Sequence, residues 1–179
     1  MKKEKSIDWL LTTYMPFFET LKMDRPNLEF VYNQWKELHP NSRANDFIWY
    51  IFNELLLIIA KQAKTELELY KYQRDVYFEM VFFLKKIESR NANHILKPYT
   101  YCVLKVAKFS PLFLKAEVIA DPRCEVCKTL KYLAPIDQAL TDRIIPLENC
   151  PNPLGCTCSY AFVSERDENG KLILNNKFT

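Results

Sequence analysis

The alternation of apolar and polar positions predicts two amphipathic helices at the start of the chain. Apolar residues recur with a helical period over residues 7–21, and Ser6 precedes them as an N-cap. Pro16 lies inside this segment, which predicts a bent helix or two short ones, because proline removes a helical hydrogen bond. A second stripe of the same period covers residues 28–38.

A much longer helical pattern follows, since no glycine or proline occurs between Pro40 and Pro98. One helix through this stretch would exceed the diameter of a compact domain. We therefore predict a break at residues 61–66, and the alternative is a protruding helix that pairs with a second copy. Residues 47–60 are apolar on nearly all sides, which predicts a buried helix, and they fall short of the roughly 20 residues that cross a bilayer.

The second half of the chain has a different pattern. Residues 101–106, 115–120, 157–163 and 171–174 predict short strands, and Asn169-Gly170 predicts the turn of a C-terminal β-hairpin. Residues 128–149 have room for a short helix around 135–140 or for a loop over the cysteines that flank this segment. The prediction is an α+β fold, mostly α, with a helical bundle over residues 1–93 and a small β-containing module over residues 94–179.

Composition supports the helical prediction and adds little about partners. The chain has only two glycines, and its 25 Lys and Arg residues nearly balance 22 Asp and Glu residues, for a net charge of +3. The aromatic residues of the helical segments, including Trp9, Trp35 and Trp49, predict core positions.

We read no export signal at the start, which predicts a cytoplasmic location where clustered cysteines bind metal more often than they form disulfides.

Five of the six cysteines crowd into one window and predict a zinc site. A C-x-x-C pair and a later C-x-C pair, with one more thiol between them, supply the soft ligands of tetrahedral zinc. The candidates are Cys124, Cys127, Cys150, Cys156 and Cys158. Four of these five would bind zinc, namely Cys124 and Cys127 with two of the other three. An iron-sulfur centre, another metal and disulfides are the alternatives.

The cysteine-rich segment resembles the tail of phage Mu F-like head morphogenesis proteins. The resemblance covers about 40 residues and rests on residues 120–130, on Ile145-Pro146-Leu147 and on Gly155-Cys156-Thr157-Cys158. It implies a zinc-binding tail. Cys150 stands where that family often has a histidine, and Thr157 replaces its arginine.

An all-cysteine site leaves no open coordination position, so we expect a structural role and assign no catalytic residue. The predicted function is a non-enzymatic zinc-stabilised binding or assembly protein, related to a phage or mobile element. Its helical domain would contact a protein partner or a second copy, with no membrane association. The alternative is a nucleic-acid-associated regulator that contacts phosphates through basic residues around the cysteines, namely Lys105, Lys108, Lys115, Arg123, Lys128 and Lys131.

Overall fold

The computed structural model describes residues 5–175, which form a mostly helical chain with one small sheet. The elements in chain order are α1 (Ile7–Thr20), α2 (Arg25–Leu38), α3 (Ala44–Gln62), α4 (Glu66–Phe82), a π-helical segment (Phe83–Glu88), α5 (Asn93–Lys108), β1 (Leu114–Ile119), β2 (Leu133–Pro135), α6 (Ile136–Asp142) and β3 (Ser159–Ser164). The predicted α+β class, mostly α, is confirmed. Residues 1–4, which contribute to the prediction about export, lie outside the described residues.

The first two helices begin at capping residues. The backbone N–H of Trp9 donates to Ser6 Oγ at 3.2 Å, as predicted, and α1 runs through Pro16 as a single helix. The side chain of Asp24 accepts from the backbone N–H of Asn27 at 2.9 Å and starts α2. Each cap satisfies an amide that has no partner inside its helix.

The predicted break in the long apolar stretch is confirmed, because α3 ends at Gln62 and α4 begins at Glu66. Thr65 Oγ1 accepts from the backbone N–H of Glu68 at 3.1 Å, while the Glu68 carboxylate accepts from the N–H of Lys64 at 2.9 Å. This reciprocal exchange resembles a capping box and gives α4 its own start. None of the described helices combines the length and the apolar character that crossing a bilayer requires.

The chain divides into two compact units, with the division after Leu57, inside α3. The sequence predicts a boundary at residue 93 instead, just before α5. The difference arises because α4 packs extensively against α5, so both helices belong to the second unit.

The first unit has an aromatic core. The buried ring of Phe52 contacts the rings of Tyr14, Phe17 and Phe18 at centroid distances of 5.7 to 6.3 Å. The predicted core position of Trp9 is wrong, since this side chain is 38% exposed and the Lys5 ammonium lies 4.4 Å from its ring centroid. Aromatic packing of this kind stabilises a small helical unit without a metal.

The predicted strand at residues 101–106 is wrong, because these residues form the middle of α5. Leu96, Thr100 and Leu104 are buried at four-residue intervals, which is the period of one helical face. Leu104 packs with Ala116 of β1 and Ile136 of α6. This packing outweighs the strand propensity of the aromatic and β-branched residues.

The second unit contains one antiparallel sheet in the order β2-β1-β3. Central β1 pairs Ala116 with Ala134 on one side and with Phe162 on the other. The strands predicted at 115–120 and 157–163 match β1 and β3, and α6 lies where a short helix was predicted. Beyond β3 the predicted hairpin is reduced to isolated bridges, with Arg166 opposite Leu172 and a turn at Gly170.

We predict that removing the Phe52 ring destabilises the first unit. Phe52→Ala should lower the free energy of unfolding by about 3–5 kcal/mol, because Phe52 is fully buried among other rings. Phe30→Ala is the matched control, since Phe30 is 60% exposed, and it should change this energy by less than about 0.5 kcal/mol. All three tryptophans lie in this unit, so urea unfolding followed by tryptophan fluorescence measures both effects. Equal losses would contradict the assigned core.

Candidate metal centre

The C-x-x-C pair lies on a tight turn that follows β1. The backbone N–H of Cys127 donates to Cys124 Sγ at 3.3 Å, and the N–H of Lys128 donates to the Cys124 carbonyl at 2.8 Å. The hydrogen bond with the Cys127 thiol and then the amides of Cys127 and Val126, which donate to the Cys124 sulfur, lower the pKa of Cys124. The turn therefore favours a thiolate at Cys124.

The second group of thiols comes from the segment before β3. Cys156 and Cys158 are both buried, while Thr157 between them is exposed. The two thiols therefore share one side of the chain, as the i, i+2 spacing predicts. Cys150 lies half-buried in the preceding loop.

The structure brings all five candidate sulfurs together around Cys127. The sulfur of Cys124 lies 2.9 Å from that of Cys127 and 4.0 Å from that of Cys150, and the Cys127 and Cys150 sulfurs are 3.9 Å apart. Within residues 5–175, the sulfurs form two groups of three, each with all separations within 4.8 Å. The groups are Cys124, Cys127, Cys150 and Cys127, Cys156, Cys158. This arrangement is able to hold a metal ion.

Burial raises the pKa values of three thiols in the cluster. Cys127 is fully buried, and this burial, followed by its hydrogen bond with Cys124, raises the pKa of its thiol. Burial also raises the pKa values of Cys150 and Cys158. All six cysteines are free thiols. Several neighbouring thiolates are therefore costly here unless a cation binds them.

The cluster is part of an apolar core. Cys124, Cys127, Cys156 and Cys158 are buried together with Leu96 of α5, Val118 of β1 and Ile145. The thiols therefore connect a helix, a strand and two loops. A metal bound here would cross-link segments that are distant in the sequence.

Asp121 joins the two cysteine segments, and sequence reasoning missed it. Its carboxylate accepts from the backbone N–H of Arg123 at 2.9 Å and from the Thr157 hydroxyl at 2.6 Å. The Arg123 side chain, Thr157 and the Arg123 amide together hold the pKa of Asp121 well below its usual range. The available signal was the Asp-Pro-Arg turn before Cys124, a common place for a carboxylate that binds nearby amides.

The start of α5 positions the loop that carries Cys156. The backbone N–H of Cys156 donates to Asn93 Oδ1 at 2.7 Å, and the N–H of Ala92 donates to the Leu154 carbonyl at 3.2 Å. Gly155 has a φ of +91°, and a Cβ there would lie 2.8 Å from Asn93 Oδ1. Only glycine fits this close approach in this backbone conformation.

Lys85 places a positive charge beside the cluster. It lies on the π-helical segment, and its ammonium donates to the Cys156 carbonyl at 2.8 Å. Desolvation lowers the pKa of this half-buried lysine, while Cys156 and Cys150 act in the opposite direction. Single π-helical turns often occur at functional sites, and this one places a cation at the backbone carbonyl of Cys156.

The sixth cysteine lies apart from the cluster. Cys102 is buried on α5, where its sulfur lies 4.0 Å from Gln73 Oε1, and burial raises its pKa to about 12. A thiol in this state is a poor nucleophile. Among the described residues, neither thiol group includes a histidine.

Most basic residues around the cluster already contact a carboxylate or an aromatic ring. Four form ion pairs with carboxylates: Lys108 with Asp137, Lys115 with Glu165, Arg123 with Asp121 and Lys128 with Glu125. Lys105 lies over the rings of Tyr70 and Tyr101, at 5.1 and 5.5 Å from their centroids. A nucleic-acid phosphate would compete with a carboxylate at four of the six predicted contact positions.

We predict that Gly155→Ala weakens metal binding at least tenfold. The new Cβ would collide with Asn93 and push the Cys156 loop away from α5. Gly170→Ala is the matched control, because Gly170 also has a positive φ, of +78°, but has open space around its Cβ position. Competition against a chromophoric zinc chelator measures both affinities. Equal weakening in both variants would show that backbone strain alone, and not the collision, is responsible.

Comparisons with protein-family models, with curated proteins and with solved structures find no match to this chain. The assignment of the site therefore rests on the chemistry and geometry of its own residues. Four thiols gathered around the buried sulfur of Cys127 make this cluster the candidate metal centre.

Proposed function

We propose that this chain is a non-enzymatic binding or assembly protein in which the thiol cluster binds zinc. The convergence of four other thiols on Cys127 carries this proposal. Thiolate sulfur is a soft ligand that suits zinc, and zinc with cysteine ligands commonly holds small modules together. The bound ion would fix the positions of α5, β1 and the loop before β3.

The exposed apolar side chains support a role in binding. Phe78 and Phe82 are 51% and 41% exposed and lie four residues apart on α4, so they share one face of this helix. Exposed aromatic side chains on one face of a helix are typical of surfaces that contact other proteins. The resemblance of the cysteine-rich segment to phage Mu F-like head morphogenesis proteins favours an assembly role in particular.

The charge distribution favours this proposal over nucleic-acid binding. Carboxylates already pair with Lys108, Lys115, Arg123 and Lys128. Each of these exposed pairs is weak, yet together they reduce the positive potential that a phosphate backbone would meet. The near balance of charges in the whole chain acts in the same direction.

We predict that the purified protein contains at least one zinc ion per chain. Chelation should lower the midpoint of thermal unfolding of the second unit by more than about 10 °C, because the cross-links between its segments are lost. Elemental analysis and far-UV circular dichroism are the measurements. Cys102→Ser, outside the cluster, should retain the metal, whereas Cys124→Ser should bind it more weakly. Metal-free protein with disulfides among these cysteines would refute the proposal.

We predict that the zinc-loaded protein self-associates through α4. Sedimentation velocity over a concentration series should show reversible association, and Phe82→Glu should weaken it at least tenfold by placing a charge in the contact. Phe30→Glu, which changes an exposed phenylalanine on α2, is the matched control and should leave the association unchanged. A zinc-loaded protein that stays monomeric throughout would refute self-association and leave a different protein as the partner.

A further inference from the structure

The two thiol groups have the arrangement of a cluster with a shared sulfur. Cys124 and Cys150 lie with Cys127 in one group, and Cys156 and Cys158 lie with Cys127 in the other. Only Cys127 belongs to both, and it is fully buried. A thiolate has more than one lone pair on its sulfur and can bind two metal ions at once.

A single tetrahedral ion does not match this arrangement. Four sulfurs that are each about 2.3 Å from one zinc ion are all about 3.8 Å from one another. Among the described residues, the groups in which all sulfurs lie within 4.8 Å contain three members. For one ion to bind four sulfurs, a sulfur of one group would have to move closer to both sulfurs of the other group that are not Cys127.

The sulfurs of the first group lie close enough together to bind one ion, and in the second group all separations are within 4.8 Å. The sulfurs of Cys124, Cys127 and Cys150 form a triangle with sides of 2.9, 4.0 and 3.9 Å. The centre of this triangle lies about 2.1 Å from each corner, so zinc slightly above its plane reaches all three sulfurs at about 2.3 Å. The fourth coordination position, which the predicted four-cysteine site would close, then remains for water.

The local charge also fits two ions. Five thiolates and two zinc ions carry a net charge of −1, and the Lys85 ammonium beside Cys156 offsets this charge. One zinc ion with four thiolates and one neutral thiol carries −2, which Lys85 only half compensates. Two zinc ions, five thiolates and Lys85 together are neutral. A buried cluster favours this combination, because uncompensated charge is costly away from water.

We propose that the cluster binds two zinc ions bridged by the sulfur of Cys127. This inference rests on the proposed zinc binding and extends it. One ion would bind Cys124, Cys127 and Cys150, and the other would bind Cys127, Cys156 and Cys158. Loading both ions leaves all five sulfurs as thiolates and releases to solvent one proton for each thiol that was protonated, with no change of oxidation state.

The test is the zinc stoichiometry of the full chain. Reduced, metal-free protein is titrated with zinc, and native mass spectrometry counts the bound ions. Saturation at two ions per chain is expected. Saturation at one ion would overturn the bridged cluster and leave the proposed zinc function intact, whereas no bound zinc would refute both.

Serine variants test the bridge itself. Cys150→Ser and Cys156→Ser each leave one three-sulfur group intact and should bind one ion, whereas Cys127→Ser should bind none or one with at least a hundredfold loss of affinity. Cys102→Ser is the control and should bind two. If Cys150→Ser or Cys156→Ser still bound two ions, the assignment would be wrong.

Cobalt provides a spectroscopic test in the unmodified chain. Two Co²⁺ ions that share a thiolate are magnetically coupled, so the electron paramagnetic resonance signal should fall as the second equivalent binds. Signals that simply add would show two separate sites and overturn the bridge. This readout needs no variant, so a folding defect cannot affect it.

Discussion

The burial of several thiols in one place is the constraint on which the second unit depends. Cys127 is fully inside the protein, with other sulfurs around it and apolar side chains beyond them. In such surroundings a proton is held tightly and an isolated thiolate is costly. A divalent cation reverses this preference, since it stabilises several thiolates together. The same thiols therefore pack as small apolar groups when protonated and act as ligands when a metal is present.

The contacts around the cluster suit this double role, because they fix the backbone and leave the sulfurs available. Asp121 connects the two cysteine segments through Arg123 and Thr157. Asn93 and Lys85 hold the backbone of Cys156 from two other elements. These groups come from positions far apart in the chain, so the site forms only when α5, the π-helical segment and the sheet are in place. Site formation is thereby coupled to folding of the second unit.

The sequence predicted those features that depend on local signals. The cap at Ser6, the break before Glu66 and the five thiols all have short-range patterns that the structure contains. The segment at residues 101–106 shows where such signals fail. Its strand propensity is local, whereas its helical state follows from packing against β1 and α6, which no short window contains. Lys85 was missed for the same reason, since its partner Cys156 lies 71 residues away. Asp121 has a local signal in its turn with Arg123, but its hydrogen bond with Thr157 spans 36 residues.

The two units have different sources of stability, and this difference bears on the role of the metal. Phe52 and its neighbouring rings give the first unit an aromatic core. The second unit has a small sheet and a core in which cysteines take places that aliphatic side chains would otherwise occupy. Because thiols are small, they bury less apolar area than leucine or isoleucine would, and the hydrophobic contribution is correspondingly smaller. A bound metal would therefore matter most in the second unit, where the α4 face that carries Phe78 and Phe82 also lies.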